Sequence, residues 1–166
     1  MPNSLIENFF MKKIVFAVVL LMSTWSSTYG QLTGYKTAAG IRIGNSSGIT
    51  GKMGLGGRLV LEGTLTTRWS GVNLSLLAEV ANPIVDTQGL GWYLGGGAHI
   101  GFWDSPEDPE KVNKLFIGVD GIIGMEYTFT DIPLNLSFDW KPMFNILSDA
   151  YFAWDEFALS VRFVIN

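Results

Sequence analysis

Two carboxylates, Glu62 and Glu79, are the first residues in this sequence whose types could do chemistry. They flank a turn-prone Ser-Gly pair at positions 70–71, so a hairpin there would bring them close together. Two neighbouring carboxyl groups serve as the acid and base of glycoside hydrolysis, but they also repel each other unless a cation bridges them. A catalytic role for this pair therefore depends on whether the surrounding strands leave a substrate access to the two carboxylates.

A histidine and an aspartate, His99 and Asp120, form a second candidate pair. A histidine oriented by an aspartate is the base of a nucleophilic triad, which needs a serine as its third member. The serines predicted on the same faces, Ser75, Ser137 and Ser160, are scattered over different segments. We therefore expect a structural hydrogen bond between His99 and Asp120, and no catalytic residue.

The composition excludes several kinds of site. Cysteine is absent and His99 is the only histidine, so the chain can build neither a thiolate nor a multi-histidine metal site. We expect no metal and no cofactor. The formal net charge is −4 and no basic cluster is present, which argues against nucleic acid as a partner.

The candidate residues lie in segments that alternate between apolar and polar positions, which is the pattern of β-strands with two unlike faces. The clearest segment, LGWYLGGGAHIGFW, runs from Leu90 to Trp103 without a break. It is longer than the about 9 to 11 residues that a tilted strand needs to cross a membrane. Because its glycines at 95–97 lie inside a strand with no helix behind them, we expect them to make room for a bulky neighbour rather than to bind phosphate.

Eight such strands are predicted, namely Lys36 to Gly44, Ile49 to Gly56, Arg58 to Trp69, Val72 to Ala81, Leu90 to Trp103, Leu115 to Phe129, Leu134 to Phe144 and Phe157 to Ile165. The pattern predicts an all-β fold, an eight-stranded antiparallel up-and-down transmembrane β-barrel with a polar interior that side chains fill. An even number of strands places both termini at one end and the long loops, Asp104 to Lys114 and Asn145 to Glu156, at the other. So narrow an interior leaves no open solute pore, and we expect its carboxylates to belong to a structural ion network.

The charged residues predicted to point inward are nearly balanced in sign, as a buried ion network requires. Together with the single histidine they are Arg42, Lys52, Arg58, Glu62, Arg68, Glu79, His99, Asp120, Glu126, Asp139, Lys141 and Arg162. Outward aromatic residues are predicted to form two girdles at the lipid headgroups. The outer girdle consists of Trp69, Phe102, Trp140, Phe144 and Phe157, and the inner one of Trp92, Tyr127, Phe129 and Phe163.

The two long loops are acidic and carry aromatic residues. The candidates for contact with an extracellular partner are Asp104, Glu107, Asp108, Glu110, Tyr151 and Trp154, beside Asp149, Phe152, Asp155 and Glu156. A solvated rim compatible with lipopolysaccharide is the expected role. A contact surface for an unidentified basic or cation-bridged partner is the alternative.

The start of the chain has the order of a secretory signal peptide, with Lys12-Lys13 followed by an apolar stretch from Ile14 to Met22 and then small polar residues. The apolar stretch is too short to cross a bilayer of about 30 Å, so we expect cleavage before Gln31 rather than a membrane anchor. The predicted organisation is an upstream extension or misassigned start at 1–10, a signal peptide at 11–30 and a barrel domain at 31–166.

Over roughly 34–166 the chain resembles the small eight-stranded outer-membrane β-barrel family of Gram-negative bacteria. The resemblance is carried by the signal peptide, the strand count, the girdles and the last strand ALSVRFVIN, and by the segments GWYLGGGAHIGFWD and GVDGIIGMEYTFTDIPLNLSFDWKP. It implies export through the periplasm to the bacterial outer membrane, contact with outer-membrane lipid, and insertion by the barrel-assembly machinery, which reads the last strand. The chain departs from the family there, because it ends on Asn166 instead of an aromatic residue and its nearest aromatic residue is Phe163.

Three functions fit these patterns. The first is a non-enzymatic outer-membrane barrel with a structural or surface-interaction role. The second is a soluble periplasmic barrel of the lipocalin type, whose apolar face would point inward around a small hydrophobic ligand. The third is a lipid-modifying outer-membrane enzyme, which would need an outward serine and histidine pair that the pattern does not provide. Alternation alone does not say which face is inside, and strand length, girdles and charge balance favour the first function.

Overall fold

Ten β-strands form one closed antiparallel sheet in the computed structural model, which describes residues 34–68, 71–103, 114–147 and 151–165. The strands are β1 (Thr37–Gly44), β2 (Ser47–Gly56), β3 (Leu59–Arg68), β4 (Gly71–Pro83), β5 (Leu90–Trp103), β6 (Lys114–Thr128), β7 (Leu134–Trp140), β8 (Met143–Leu147), β9 (Phe152–Ala153) and β10 (Phe157–Ile165). Consecutive strands pair from β1 to β6, and β10 pairs with both β1 and β7, which closes the sheet. The predicted extension at 1–10 and signal peptide at 11–30 lie outside the described residues.

The seventh predicted strand, Leu134 to Phe144, is interrupted in the structure. β7 ends at Trp140 and β8 begins at Met143, with Lys141 and Pro142 between them. Proline has no N–H to donate to a neighbouring strand, so it breaks the ladder at this point. β7 pairs with the last part of β6 and β8 with an earlier part of the same strand, so together they fill one position in the wall. The prediction of a closed, eight-stranded antiparallel barrel is confirmed, and the prediction of one unbroken seventh strand is corrected.

The segment from Asn145 to Glu156, predicted as a loop, contains strand residues in both of its described parts, 145–147 and 151–156. β8 continues to Leu147, and the two-residue β9 pairs with β8 through Met143 and Phe144. Among the described residues, no helix is long and apolar enough to cross a membrane.

The two faces of the sheet differ as the alternation predicts. Along β4 every second side chain is buried, so Leu77 has no exposed surface while the adjacent Leu76 is 58% exposed. The same alternation leaves Val119 exposed on β6 and Arg162 buried on β10. Apolar side chains therefore cover the outside of the barrel, and most polar and charged side chains lie inside it.

The barrel has two unlike ends. At the terminal end, where β1 begins and β10 finishes, the buried residues Tyr35, Ala38 and Val164 form a small apolar cluster. A second cluster, made of Leu77, Tyr93 and Ile122, lies among the charged interior side chains. The opposite end, called the loop end, is where β1, β3, β5 and β8 finish.

Candidate functional site

The interior of the barrel is the candidate functional site, because it gathers most of the charged residues predicted to point inward. Ten of them are buried, and these are Arg42, Lys52, Glu62, Glu79, His99, Asp120, Glu126, Asp139, Lys141 and Arg162. The strands that carry them face one another across a closed sheet, so residues far apart in sequence make direct contact. These contacts form three groups along the barrel.

The first group surrounds the ammonium group of Lys52, which projects inward from β2. Its Nζ lies 2.7 Å from Glu79 Oε2, 3.5 Å from Glu126 Oε2 and 3.8 Å from Glu62 Oε2. The same Nζ lies 3.4 Å from the centroid of the Tyr93 ring, within the range of a cation–π contact. One cation thus joins carboxylates from β3, β4 and β6.

A second cation, Arg162 on β10, completes this first group. Its Nη2 donates to Glu62 Oε1 at 2.6 Å, and its Nη1 donates to Ser137 Oγ at 2.7 Å. In the β3–β4 register Glu62 lies opposite Leu77 and diagonal to Glu79, and both carboxylates contact the same ammonium group, so the hairpin brings them close together as predicted. The two carboxylates singled out as an acid–base pair are therefore held by Lys52 and Arg162, which is the arrangement of a structural ion network.

The second group is an ion pair between β1 and β7. Arg42 donates through Nη1 and Nη2 to both carboxylate oxygens of Asp139, at 2.9 Å and 2.5 Å. The hydroxyl of Tyr93 donates to the same carboxylate at 2.9 Å. The fork of a guanidinium matches a carboxylate in this two-point geometry, so the contact fixes orientation as well as charge. It links strands that are separated in the wall by β10.

The third group lies nearer the loop end and contains the single histidine. His99 Nδ1 lies 2.5 Å from Asp120 Oδ1, and His99 Nε2 lies 2.7 Å from Asn145 Oδ1. Lys141 lies 3.6 Å from the other oxygen of Asp120 and donates to Ser75 Oγ at 3.3 Å. Both ring nitrogens of His99 are occupied by these partners, so in this arrangement neither accepts a proton from a serine hydroxyl.

Two glycines on β6 make room for bulky interior side chains. A Cβ at Gly118 would lie 2.6 Å from His99 Cε1, and a Cβ at Gly124 would lie 2.6 Å from Tyr93 Cζ. Within the glycine run of β5, a Cβ at Gly97 would first meet the backbone oxygen of Leu76. A Cβ at Gly95 would also lie 3.0 Å from Cγ of the buried Glu79, so glycines on both β5 and β6 accommodate interior side chains.

Arg68 lies at the loop-end mouth of the barrel instead of in its interior. Its guanidinium bonds Asp155 at 2.8 Å and Glu156 at 2.5 Å, and Ser46 donates to Glu156 at 2.6 Å. The hydrogen bond from Arg68 lowers the pKa of the Asp155 carboxyl. Glu156, which was expected on an exposed acidic rim, is only 1% exposed and belongs with the interior charges.

Arg58 is the one predicted interior charge whose side chain is exposed. It follows Gly57, whose φ of 59° places this turn between β2 and β3 in the left-handed region. The turn carries Arg58 out of the strand, and its Nη1 donates to Asn82 Oδ1 at 3.1 Å on the outside. The prediction that Arg58 points into the barrel is corrected, because the strand begins one residue later than expected.

The predicted girdle residues lie on the outer surface wherever the structure describes them. Trp92, Phe102, Tyr127, Trp140, Phe144, Phe157 and Phe163 are exposed, and Phe129 is half-buried. Trp140 and Phe157 are stacked with ring centroids 6.2 Å apart, and Tyr127 meets Phe129 edge to face at 4.8 Å. Trp69 lies outside the described residues.

The loop-contact candidates are described only in part. Tyr151, Phe152 and Trp154 are exposed at the loop end, and the backbone oxygen of Trp154 accepts a hydrogen bond from Trp140 Nε1 at 2.5 Å. The acidic candidates Asp104, Glu107, Asp108, Glu110 and Asp149 lie outside the described residues.

Several interior residues were not predicted from the sequence, although the alternation of the strands indicates two of them. Asn145 continues the inward positions of β7 and β8, and Glu156 has the same spacing as Ala158 and Ser160. Tyr35 does not follow the alternation of β1, and only the structure places its hydroxyl 3.1 Å from Glu126.

In the part of the chain that the structure describes, no three His, Asp or Glu side chains are grouped so that they could hold a metal ion. The geometry is that of paired charges, each held by groups of opposite sign from other strands. No protein-family model, no curated protein and no solved structure matches this chain.

Proposed function

We propose that this chain is a non-enzymatic outer-membrane β-barrel protein with a structural or surface-interaction role and no open solute pore. The main support for the proposal is that the apolar face of the sheet points outward and the polar face points into the barrel. Mid-strand apolar side chains such as Leu76, Val119 and Phe138 are 58%, 46% and 53% exposed. Soluble monomers rarely expose one continuous apolar surface of this kind, whereas a barrel in lipid requires it.

The charged interior supports the same proposal. Ion pairs removed from water are tolerated when each charge has partners, as Lys52, Arg162 and Arg42 have. A soluble barrel for a hydrophobic ligand needs the opposite arrangement, with apolar side chains lining the interior and polar ones in water. The observed burial therefore favours lipid outside the barrel.

Side chains from facing strands also cross the interior, which supports the absence of an open pore. The clusters described above place Tyr93, Leu77 and Ile122 beside the Lys52 group, and all of these side chains are buried. An eight-stranded barrel is just wide enough to be filled in this way.

The position of the single histidine favours the non-enzymatic proposal over lipid modification. A lipid-modifying serine–histidine site must open to the outer surface, but His99 is 2% exposed and hydrogen-bonded on both sides within the barrel. We propose outer-membrane lipid and the barrel-assembly machinery as partners, together with an unidentified extracellular partner at the loop end.

The test is fractionation of cells that express the full chain. The proposal expects the protein in the outer membrane, resistant to extraction with urea, and released by detergent as a band that migrates faster unheated than boiled on a denaturing gel. Reconstitution in planar bilayers should give no stepwise conductance. Recovery in the soluble periplasm would support the lipocalin-type alternative instead. Lipid chemistry that appears with the wild type and disappears with His99→Ala would support the enzyme.

A further inference from the structure

A small cavity lies at the loop end of the barrel, where the Arg68–Glu156 ion pair forms part of its wall. Its volume is about 100 Å³, and its walls include Thr66, Asn73, Trp103, Phe116, Met143 and Tyr151. We propose that this cavity is a binding site for a small neutral alcohol or phenol. The inference goes beyond the proposed function, because the same cavity would bind its ligand in whatever compartment the barrel resides.

The apolar part of the cavity suits a flat or short apolar body. The ring centroids of Trp103 and Phe116 are 5.7 Å apart, with the rings tilted by 41°. The centroids of the Phe116 and His99 rings are 5.8 Å apart. Met143 adds a flexible, polarisable side chain that adapts to the shape of an occupant. Ligand sites in proteins are commonly lined in this way, with few polar groups among apolar ones.

Two buried polar atoms give the cavity its chemical preference. Asn73 is 9% exposed and Thr66 is 1% exposed, and among the described residues neither Asn73 Oδ1 nor Thr66 Oγ1 has a hydrogen-bond partner. Buried polar groups without partners are rare in native structures. A ligand hydroxyl can donate to Asn73 Oδ1 and satisfy it.

The charges beside the cavity indicate that the ligand is neutral. Arg68 is already bonded to Asp155 and Glu156, and Asn73 Nδ2 donates a hydrogen bond to Met143 Sδ at 3.4 Å. An anion or a cation would have to displace these contacts, whereas a neutral hydroxyl would not.

The volume limits the size of the ligand. A site of about 100 Å³ exceeds the share of about 30 Å³ that one water occupies in the liquid and approaches the about 150 Å³ of an apolar cavity known to bind benzene. An alcohol of a few carbons therefore fits without rearrangement, and a single aromatic ring fits if the flexible Met143 side chain moves aside.

The test follows the methionine methyl groups by NMR while phenol is added to the folded chain in detergent micelles. Met143 reports the cavity, while Met125 projects outward from β6 and is 51% exposed, so it reports phenol dissolved in the micelle. The expected result is a saturating shift at Met143 beside a linear one at Met125. Benzene, which lacks the donor, should bind the Met143 site about five- to tenfold more weakly than phenol.

Two variants remove the unpartnered atoms while keeping the shape of the wall. Asn73→Leu should abolish the preference for phenol over benzene and leave benzene binding unchanged, and Thr66→Val serves as a second variant if the first does not fold. A Met143 shift that rises linearly in step with Met125 overturns the proposal. So does saturable phenol binding whose preference over benzene is unchanged in folded Asn73→Leu, or in Thr66→Val where Asn73→Leu does not fold. The fractionation experiment does not depend on this titration, so a cavity that fails to bind phenol does not count against the proposed membrane location.

Discussion

Lys52 Nζ lies 2.7 Å from Glu79 Oε2 inside the barrel, and neither side chain has any exposed surface. Removing the cation would leave the buried Glu79 and Glu126 without the ammonium group that contacts them, while Glu62 would keep Arg162. We expect Lys52→Met to lower the free energy of unfolding by about 3 to 5 kcal/mol, since one partner of a buried ion pair is lost. Urea titration of the folded barrel in detergent, followed by tryptophan fluorescence, measures this loss.

Arg58→Met is the matched control for Lys52→Met. Arg58 is also a cation, but it is exposed in the turn after β2 and donates one side-chain hydrogen bond to Asn82. Its replacement should change the free energy of unfolding by less than about 1 kcal/mol. Adding Glu79→Gln to Lys52→Met should recover part of the loss, because the two side chains interact directly. Equal small losses in both single variants would contradict the buried network.

Leu76→Arg tests which medium surrounds the barrel. Leu76 lies near the middle of β4 and points outward, so in a bilayer the arginine would sit near the midplane and cost about 2 to 4 kcal/mol. The same substitution at Val72, at the loop end of β4, should cost about 0 to 1 kcal/mol. Folding yield into lipid vesicles and urea midpoints of the folded fraction measure the difference. A barrel in water would tolerate both substitutions equally, since both positions are exposed.

The alternation of residue types predicted the faces of the sheet because side chains in a strand point to opposite sides in turn. The rule holds even across the break at Pro142, since Lys141, Met143 and Asn145 keep the inward spacing set by β7. It failed at Arg58, where a glycine turn ends the alternation before the strand begins.

Most partners of the interior charges could not be predicted in the same way. Glu62 and Glu79 lie on a predictable hairpin, yet what holds them is Lys52 from β2 and Arg162 from β10. Which strands face each other depends on how the closed sheet is staggered, and no local pattern encodes that stagger. The sequence therefore predicted which residues are inside and one pair on neighbouring strands, His99 with Asp120, whereas contacts across the barrel such as Glu62 with Arg162 needed the closed barrel.

Gly118→Ala tests whether the fit between β5 and β6 is as close as the geometry indicates. A new Cβ would lie 2.6 Å from His99 Cε1 and 2.1 Å from the backbone oxygen of Phe144. The Phe144 backbone and the doubly hydrogen-bonded His99 ring cannot both move away from the new Cβ. We therefore expect the free energy of unfolding to fall by about 1 to 3 kcal/mol. Gly63→Ala is the control, since its Cβ would meet nothing within 4 Å. A Gly118 variant as stable as the Gly63 variant would contradict the packing of His99.

The contact between Arg68 and Asp155 makes part of the stability depend on pH. Arg68 lowers the pKa of Asp155 in the folded state, so the ion pair stabilises the fold above the unfolded pKa and the stabilisation is lost as the pH falls through the lower, folded value. The side chain of Asp155 is 33% exposed, so the contribution at pH 7 should be at most about 1 kcal/mol and should weaken with salt. The stability difference between wild type and Asp155→Asn should therefore be present at pH 7 and shrink below about pH 4, the ordinary range of an aspartate.

Urea midpoints of both proteins at several pH values measure this difference. The control is Asp86→Asn, in the exposed turn after β4, which should match the wild type at pH 7. A difference that grows on acidification would mean that Asp155 is stabilised in its protonated form, opposite to the geometry at the loop-end mouth.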